Sequence, residues 1–236
     1  YKATRKKAPD ELYAQFPIVK ELVKTFEIPI FAKQGYEADD VLGTLAKQAD
    51  QTKEICTYIV TGDLDTLQLV SERTRVMALT NKFSQPVIYD AAKVLGRYGL
   101  KPTQVPDMKG LQGDSSDNIK GVAGIGAKTT KVLLQEYGTV ENIYENLDKV
   151  KESYRRKLEA DRESAFQSKE LATILTEVPE VELDLELCLS HEYDADKLTN
   201  LFEEMGFKSL LRRLHDFHKS SEVKKIEESK EQPSLF

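Results

Sequence analysis

Cysteine and histidine are scarce in this 236-residue chain, which holds two of the first and three of the second. Cys56 sits in an apolar, strand-like run and Cys188 among leucines, so both read as buried small hydrophobes. Neither spacing suits a disulfide, a metal pair or a redox motif. A reducing cytoplasm is the expectation from that usage. His191, His215 and His218 all fall late in the chain, which leaves no histidine cluster for zinc. No apolar run approaches the roughly 20 residues that cross a bilayer, and the start does not resemble a signal peptide. An excess of positive charge is missing too. The formal charge of −6 argues against a nucleic-acid partner on average, but net charge conceals patches, and this chain is patchy.

The charge begins as a basic stretch, "YKATRKK", with Lys2, Arg5, Lys6 and Lys7 beside Tyr1. A helix comes next in "APDELYAQFPIVKELVKTF", where Pro9, Asp10 and Glu11 suit the first turn and Leu12, Phe16, Val19, Leu22 and Val23 keep helical spacing. There is no initiating methionine and no strand before this helix, so the chain is expected to be a fragment. Elements then alternate: a strand at "IPIFA", a helix opened by "YEADD", a strand at "EICTYIV", a "TGDLD" turn into a short helix, and a strand at "RVMAL". Such alternation predicts an α/β fold with a mainly parallel sheet. Beyond residue 90 one helix succeeds another, including one long helix expected over "SYRRKLEADRESAFQSKELATILTEV". The expected organisation is an α/β core over 1–90, a helical subdomain over 91–218, and a polar, charge-balanced tether over 219–236.

Acidic residues concentrate at three places: Glu37, Asp39 and Asp40 in "YEADD", Asp63 and Asp65 in "VTGDLDTL", and Asp114 and Asp117 in "QGDSSDNI". Two readings of the first group stand side by side. Acids in a first helical turn cap free N–H groups and complement the helix dipole. Alternatively, the "YEADD" helix and the "TGDLD" turn both come after strands, and the carboxyl edge of a parallel sheet is where open α/β folds build sites. Carboxylates crowded there stay ionised when divalent cations neutralise them, and oxygen ligands without histidine favour Mg²⁺ or Mn²⁺. Two such ions about 4 Å apart can activate water and stabilise a leaving oxygen in phosphodiester hydrolysis.

The stretch "GVAGIGAKTTKVLLQEYGT" alternates glycine with small apolar residues before becoming a helix. One reading is a plain bend that uses glycine for positive φ. The other is a helix-hairpin-helix, in which Gly121, Gly124 and Gly126 let backbone N–H groups reach a phosphate. Lys120, Lys128 and Lys131 would add charge there.

Taken in order, "YKATRKK", "YEADDVLGTLA", "VTGDLDTLQLV" and "KGLQGDSSDNIKGVAGIGAKTTKVLL" resemble the 5′-nuclease domain of bacterial DNA polymerase I, within the flap endonuclease superfamily. The resemblance covers nearly the whole chain. It implies a PIN-like sheet-plus-helices nuclease with a helix-three-turn-helix clamp, cutting 5′ flaps and removing RNA primers. By motif, Glu37, Asp39, Asp40, Asp63 and Asp65 match one part of the metal-binding set, and Asp114 and Asp117 the other. Asp40 and Asp63 would act in catalysis with Lys2 and Arg5, whose stretch lies in a helical arch in the family. Tyr1, Lys2, Arg5 and Lys6 would then hold the 5′ strand; read without the family, that stretch is a solvated basic end. The resemblance further implies two Mg²⁺ or Mn²⁺ ions, K⁺ at the hairpin, and a DNA partner with a 5′ flap, nick or RNA primer. A polymerase domain is expected after the tether, in a monomeric protein of the bacterial cytoplasm and nucleoid. The family pattern also begins with two aspartate-bearing strands that lie upstream of Tyr1, so full activity is expected of the parent and impaired activity of this fragment. A non-catalytic duplex-binding module is the alternative. A phosphatase acting on small molecules is a third reading, but it gives the hairpin and the basic stretch no purpose.

Overall fold

The structure is a computed structural model that describes residues 7–52, 54–79, 86–189 and 193–216. Tyr1, Lys2, Arg5, Lys6, His191, His218 and the expected tether at 219–236 lie outside the described residues. In chain order come α1 (Asp10–Tyr13), α2 (Phe16–Thr25), α3 (Ala38–Gln51), β1 (Thr57–Thr61), β2 (Thr74–Ala78), β3 (Val87–Tyr89) and α4 (Ala91–Tyr98). After these come α5 (Val105–Gln112), α6 (Ala127–Tyr137), α7 (Val140–Glu145), α8 (Glu152–Ala160), α9 (Arg162–Ala172) and α10 (Ala195–Glu204).

Two compact units result. One is built on Phe31–Leu183; the other joins Ala8–Ile30 to the described residues from Asp184 onward. In the second unit, Leu198 and Phe202 of α10 and Leu214 form a small core with Leu22 and Phe26. The Phe26 ring meets Tyr193 and Phe202 edge-on at 5.4 and 6.5 Å. His215 is exposed in this unit, on a helical stretch at 208–216.

The first unit holds the sheet, in the order β1-β2-β3. β1 and β2 pair in parallel, joined by a 3₁₀ turn at Leu64–Leu69, while β3 returns antiparallel to β2. The mixed sheet has β2 at its centre, with Thr74, Val76 and Ala78 buried in alternation as a half-covered strand requires. One continuous core runs from Ile59 and Val76 through Leu67 and Leu111 to Leu134, Ile143 and Leu158. It therefore crosses residue 90, and the sheet and the helices up to α9 fold around the same apolar side chains.

Three sequence expectations change. "IPIFA" forms no strand: no neighbour pairs with it among the described residues, Pro29 has no N–H to offer, and Ile28 and Ile30 are exposed. Both cysteines are exposed, because Cys56 precedes β1 and Cys188 falls in a surface turn. The long helix expected after residue 152 divides at Asp161 and stops at Ala172. Residues 173–183 then run without helix along α3, a packing choice that local periodicity does not encode. There a ladder of α3 side chains at helical spacing satisfies the backbone of this segment. Asp40 accepts the Leu175 N–H (2.9 Å), Thr44 accepts the Val178 N–H (3.0 Å), and Gln48 accepts the Leu183 N–H and donates to the Val181 carbonyl. The approach is close: a Cβ on Gly43 would lie 2.9 Å from Ile174 Cγ2.

Candidate metal centre and nucleic-acid interface

The acids separated in sequence converge inside the first unit. Glu37, Asp39, Asp40, Asp63, Asp65 and Asp117 line one cleft of about 350 Å³, closed on another side by Glu170 and the 171–175 backbone. Local structure aims each of them. Glu37 is the N-cap residue of α3, and Asp40 at the third helical position accepts the Glu37 N–H at 3.0 Å, so the first turn is fixed. The helix-capping reading of Asp40 is thus correct for its hydrogen bonds, and the same geometry leaves it on the cleft wall. Asp63 caps the 3₁₀ turn after β1 by accepting the Asp65 N–H at 3.0 Å. Asp114 and Asp117 sit in a loop that closes on itself through paired Asp114–Ile119 backbone bonds of 2.9 and 2.8 Å, with Asn118 at φ 59° making the tight turn.

One carboxylate oxygen from each of Asp65, Asp114 and Asp117 falls within 4.8 Å of the others. Their environments differ. Burial raises the Asp65 pKa, as do the charges of Asp63 and Asp114, although Lys109 opposes the shift. Burial would raise Asp114 too, but bonds from Lys109 and Ser116 outweigh it and hold its pKa down at about 2. Lys109, on α5, is itself buried at 8% side-chain exposure and pairs with both Asp65 and Asp114, the latter at 2.6 Å. The donor set is carboxylate oxygen alone, without histidine or thiol among the lining residues, which fits hard divalent ions such as Mg²⁺ or Mn²⁺.

The glycine hairpin separates into positions with different duties. Gly121 is buried, its N–H donates to Ser168 Oγ at 3.0 Å, and its carbonyl accepts from Ser164 Oγ at 2.7 Å. At φ 66° its missing side chain leaves room for Gly113, whose nitrogen would lie 2.3 Å from a Cβ. Gly121 therefore serves packing rather than phosphate contact, contrary to the expectation from sequence. Gly124, also at positive φ, is exposed, and its carbonyl accepts from Lys157 at 2.9 Å. Gly126 is the N-cap residue of α6 with an ordinary φ of −102° and open space around its Cα. No side chain caps α6 and no acid occupies its first turn, and Gly126 and Ala127 at its start line an opening with Gly113, Asp114 and Lys120. Lys120 and Lys128 are exposed near this helix end, whereas the Lys131 side chain lies over Gly99 at the C-terminal end of α4. Asp114 borders both the hairpin opening and the acidic cluster.

Sequence reading missed Lys109, Glu170 and the α8–α9 groups that hold the hairpin, among them Asp161, which accepts the Ala123 N–H at 2.7 Å. A lone lysine five residues before an aspartate carries no pattern that signals a buried partner, and Asp161 and Glu170 are remote in sequence from the hairpin and from the cleft acids.

Comparison with known proteins bears on the same regions. Residues 1–99 match the family model of the 5′-3′ exonuclease N-terminal resolvase-like domain, and residues 100–196 match that of the 5′-3′ exonuclease C-terminal SAM fold. The chain is 45% identical over 216 residues to DNA polymerase I of Caldicellulosiruptor bescii, covering 91% of this chain and 25% of that protein. It thus spans about a quarter of the length of this relative. Among solved structures, a bacteriophage T5 5′-exonuclease superposes with a TM-score of 0.61 at 24% identity, over 81% of this chain and 75% of the other. The bacteriophage T5 flap endonuclease in a pseudo-enzyme–product complex with DNA and metal ions gives 0.58 at 23% identity, over 93% and 74%. These two likenesses concern the fold. With the two halves of one nuclease matched in tandem over residues 1–196, the chain belongs to the 5′-3′ exonuclease family represented in bacterial DNA polymerase I.

Proposed function

We propose that the protein carrying this chain hydrolyses DNA and RNA-primer phosphodiesters from the 5′ side, as a structure-specific exonuclease and flap endonuclease in replication and repair. The observation that carries the reading is the convergence of seven carboxylates, Glu170 among them, on one cleft, with an eighth, Asp114, shared with an uncapped helix end. In this reading Glu37, Asp39, Asp40, Asp63, Asp65, Asp114 and Asp117 hold two Mg²⁺ or Mn²⁺ ions. Bound there, the ions would supply an activated water and charge stabilisation for the leaving oxygen.

The chain's own residues do the positioning. Asp63 and Asp40 are fixed by backbone hydrogen bonds, so their carboxylates need little reorganisation when ligands arrive. The leading N–H groups of α6 grip a duplex phosphate with Gly126 allowing close approach, and Lys120 and Lys128 add long-range attraction. Contacts of this type select shape rather than base sequence. Lys2 and Arg5, with Tyr1 and Lys6, hold the 5′ strand and the scissile phosphate. K⁺ at the hairpin, a polymerase domain beyond the tether, a monomeric state and a place in the bacterial cytoplasm and nucleoid complete the proposal. Among the described residues no helix is long and apolar enough to cross a membrane.

The test is cleavage of a 5′-labelled flap substrate by the full-length protein in Mg²⁺ and in EDTA. Metal-dependent cutting at the junction is expected. Binding of the flap without cutting under either condition would favour a non-catalytic duplex-binding module.

A further inference from the structure

Lys109 stands apart from the other lysines of the first unit. It projects from α5, which packs so closely on α9 that a Cβ on the neighbouring Gly110 would lie 2.9 Å from Lys169 Cβ and 3.1 Å from the Ala165 carbonyl. The Lys109 ammonium lies between Asp65 Oδ1 and Asp114 Oδ2, whose side chains are 23% and 18% exposed against 8% for Lys109. Taking such an ion out of water is costly unless it meets opposite charge. Here the compensation comes from two members of the three-carboxylate cluster.

We infer that Lys109 is the resident counter-cation of the Asp65–Asp114–Asp117 cluster, holding it together without metal and weakening its grip on a divalent ion. The inference rests on the metal reading proposed above. Its basis is position: the ammonium already holds one oxygen of each of two of the three carboxylates. An ion on this cluster therefore shares Asp65 and Asp114 with the ammonium and is repelled by it. Ser116 already donates from its N–H (2.8 Å) and its hydroxyl to Asp114 Oδ1, so this carboxylate is engaged on both oxygens before any ion arrives. Lys109 is in this sense a positioning residue with an opposing charge.

The two roles open to Lys109 predict opposite signs. If the side chain merely supports the loop, removing it disorders the ligands and weakens metal binding. If it is the counter-cation, neutralising it with its length retained strengthens binding at this cluster and destabilises the metal-free protein, because Asp65 and Asp114 lose the cation between them. The experiment is Mn²⁺ titration by calorimetry, with thermal melts in EDTA, on the full-length protein and on Lys109→Met, Lys109→Gln and Lys109→Arg. The expected result is a lower melting temperature for Met and Gln in EDTA, Mn²⁺ affinity raised about tenfold or more, and near wild-type behaviour for Arg. Should Met fail to fold in EDTA, folding restored by Mn²⁺ supports the inference and failure in both media overturns it. Equal or weaker Mn²⁺ affinity in a folded Met or Gln variant also overturns it, while leaving the metal reading intact. Absence of Mn²⁺ binding by the wild type would instead remove the metal reading and this inference with it.

Discussion

The acidic cluster beside the cleft and the glycine hairpin meet at Asp114, yet the two regions are built in opposite ways. In the cleft, the proposed ligands are side chains, and the backbone is spent fixing them: Asp40 and Asp63 each accept backbone N–H groups that close a first turn. In the hairpin, the proposed contacts come from the backbone, and side chains of α8, α9 and the residue between them fix it: Lys157, Asp161, Ser164 and Ser168 each take a hairpin N–H or carbonyl. The difference predicts how each region fails. The cleft should lose chemistry while keeping its shape. The hairpin should lose either its shape or its grip, according to which glycine is changed.

The sharpest break is Asp63→Ala in the full-length protein. Cleavage of a flap should fall by at least about 10³-fold while equilibrium DNA affinity stays within roughly twofold, because the hairpin contacts are untouched. Retained cleavage would sink the assignment of the cleft. Next come the glycines. Gly121→Ala should destabilise the protein by at least ~2 kcal/mol in urea unfolding, since a Cβ there combines positive φ with backbone overlap. Gly126→Ala has room and an ordinary φ, so stability should hold while duplex affinity drops about tenfold through the helix end it crowds. If both behaved alike, the division of labour within the hairpin would be wrong.

A smaller effect is expected for Lys128→Ala. Affinity should weaken a few-fold for every duplex regardless of sequence, with the slope of log affinity against log salt reduced by about one. The least is the acid dependence of the cleft. Asp114 has its folded pKa depressed to about 2, so its contribution to stability is complete above the ordinary carboxylate range near pH 4 and is lost as pH falls toward 2. In EDTA, Asp114→Asn should show a shallower loss of stability than wild type across that window. An identical slope would mean that the bonds from Lys109 and Ser116 stabilise little.

The acids were legible because negative charge recurs in three short motifs, at the start of α3, at the turn after β1 and in the loop after α5. The hairpin was legible as a glycine pattern, but the pattern treats Gly121 and Gly126 as equivalents. One is buried against Gly113 and the other stands open at a helix start, a distinction that depends on α9 packing across the loop. The strand expected at "IPIFA" failed for a related reason, since its composition suits a strand but nothing pairs with it among the described residues. The ladder of Asp40, Thr44 and Gln48 was hidden because each residue suits an exposed helix face equally well.

Local physics in the sequence therefore determined where turns, caps and charges fall: Glu37 and Asp63 as N-caps, Gly126 at a helix start, carboxylates in three short motifs. These depend on neighbours a few residues away. The tertiary structure alone decided that the motifs share one cleft, that Lys109 lies buried between two of them, and that the 173–183 segment leaves the helical path to run along α3. Those outcomes join residues tens to more than a hundred positions apart: the common core closes around Leu67, Leu111 and Leu134, and a separate cluster of Val41, Val178 and Val181 seats the 173–183 segment on α3.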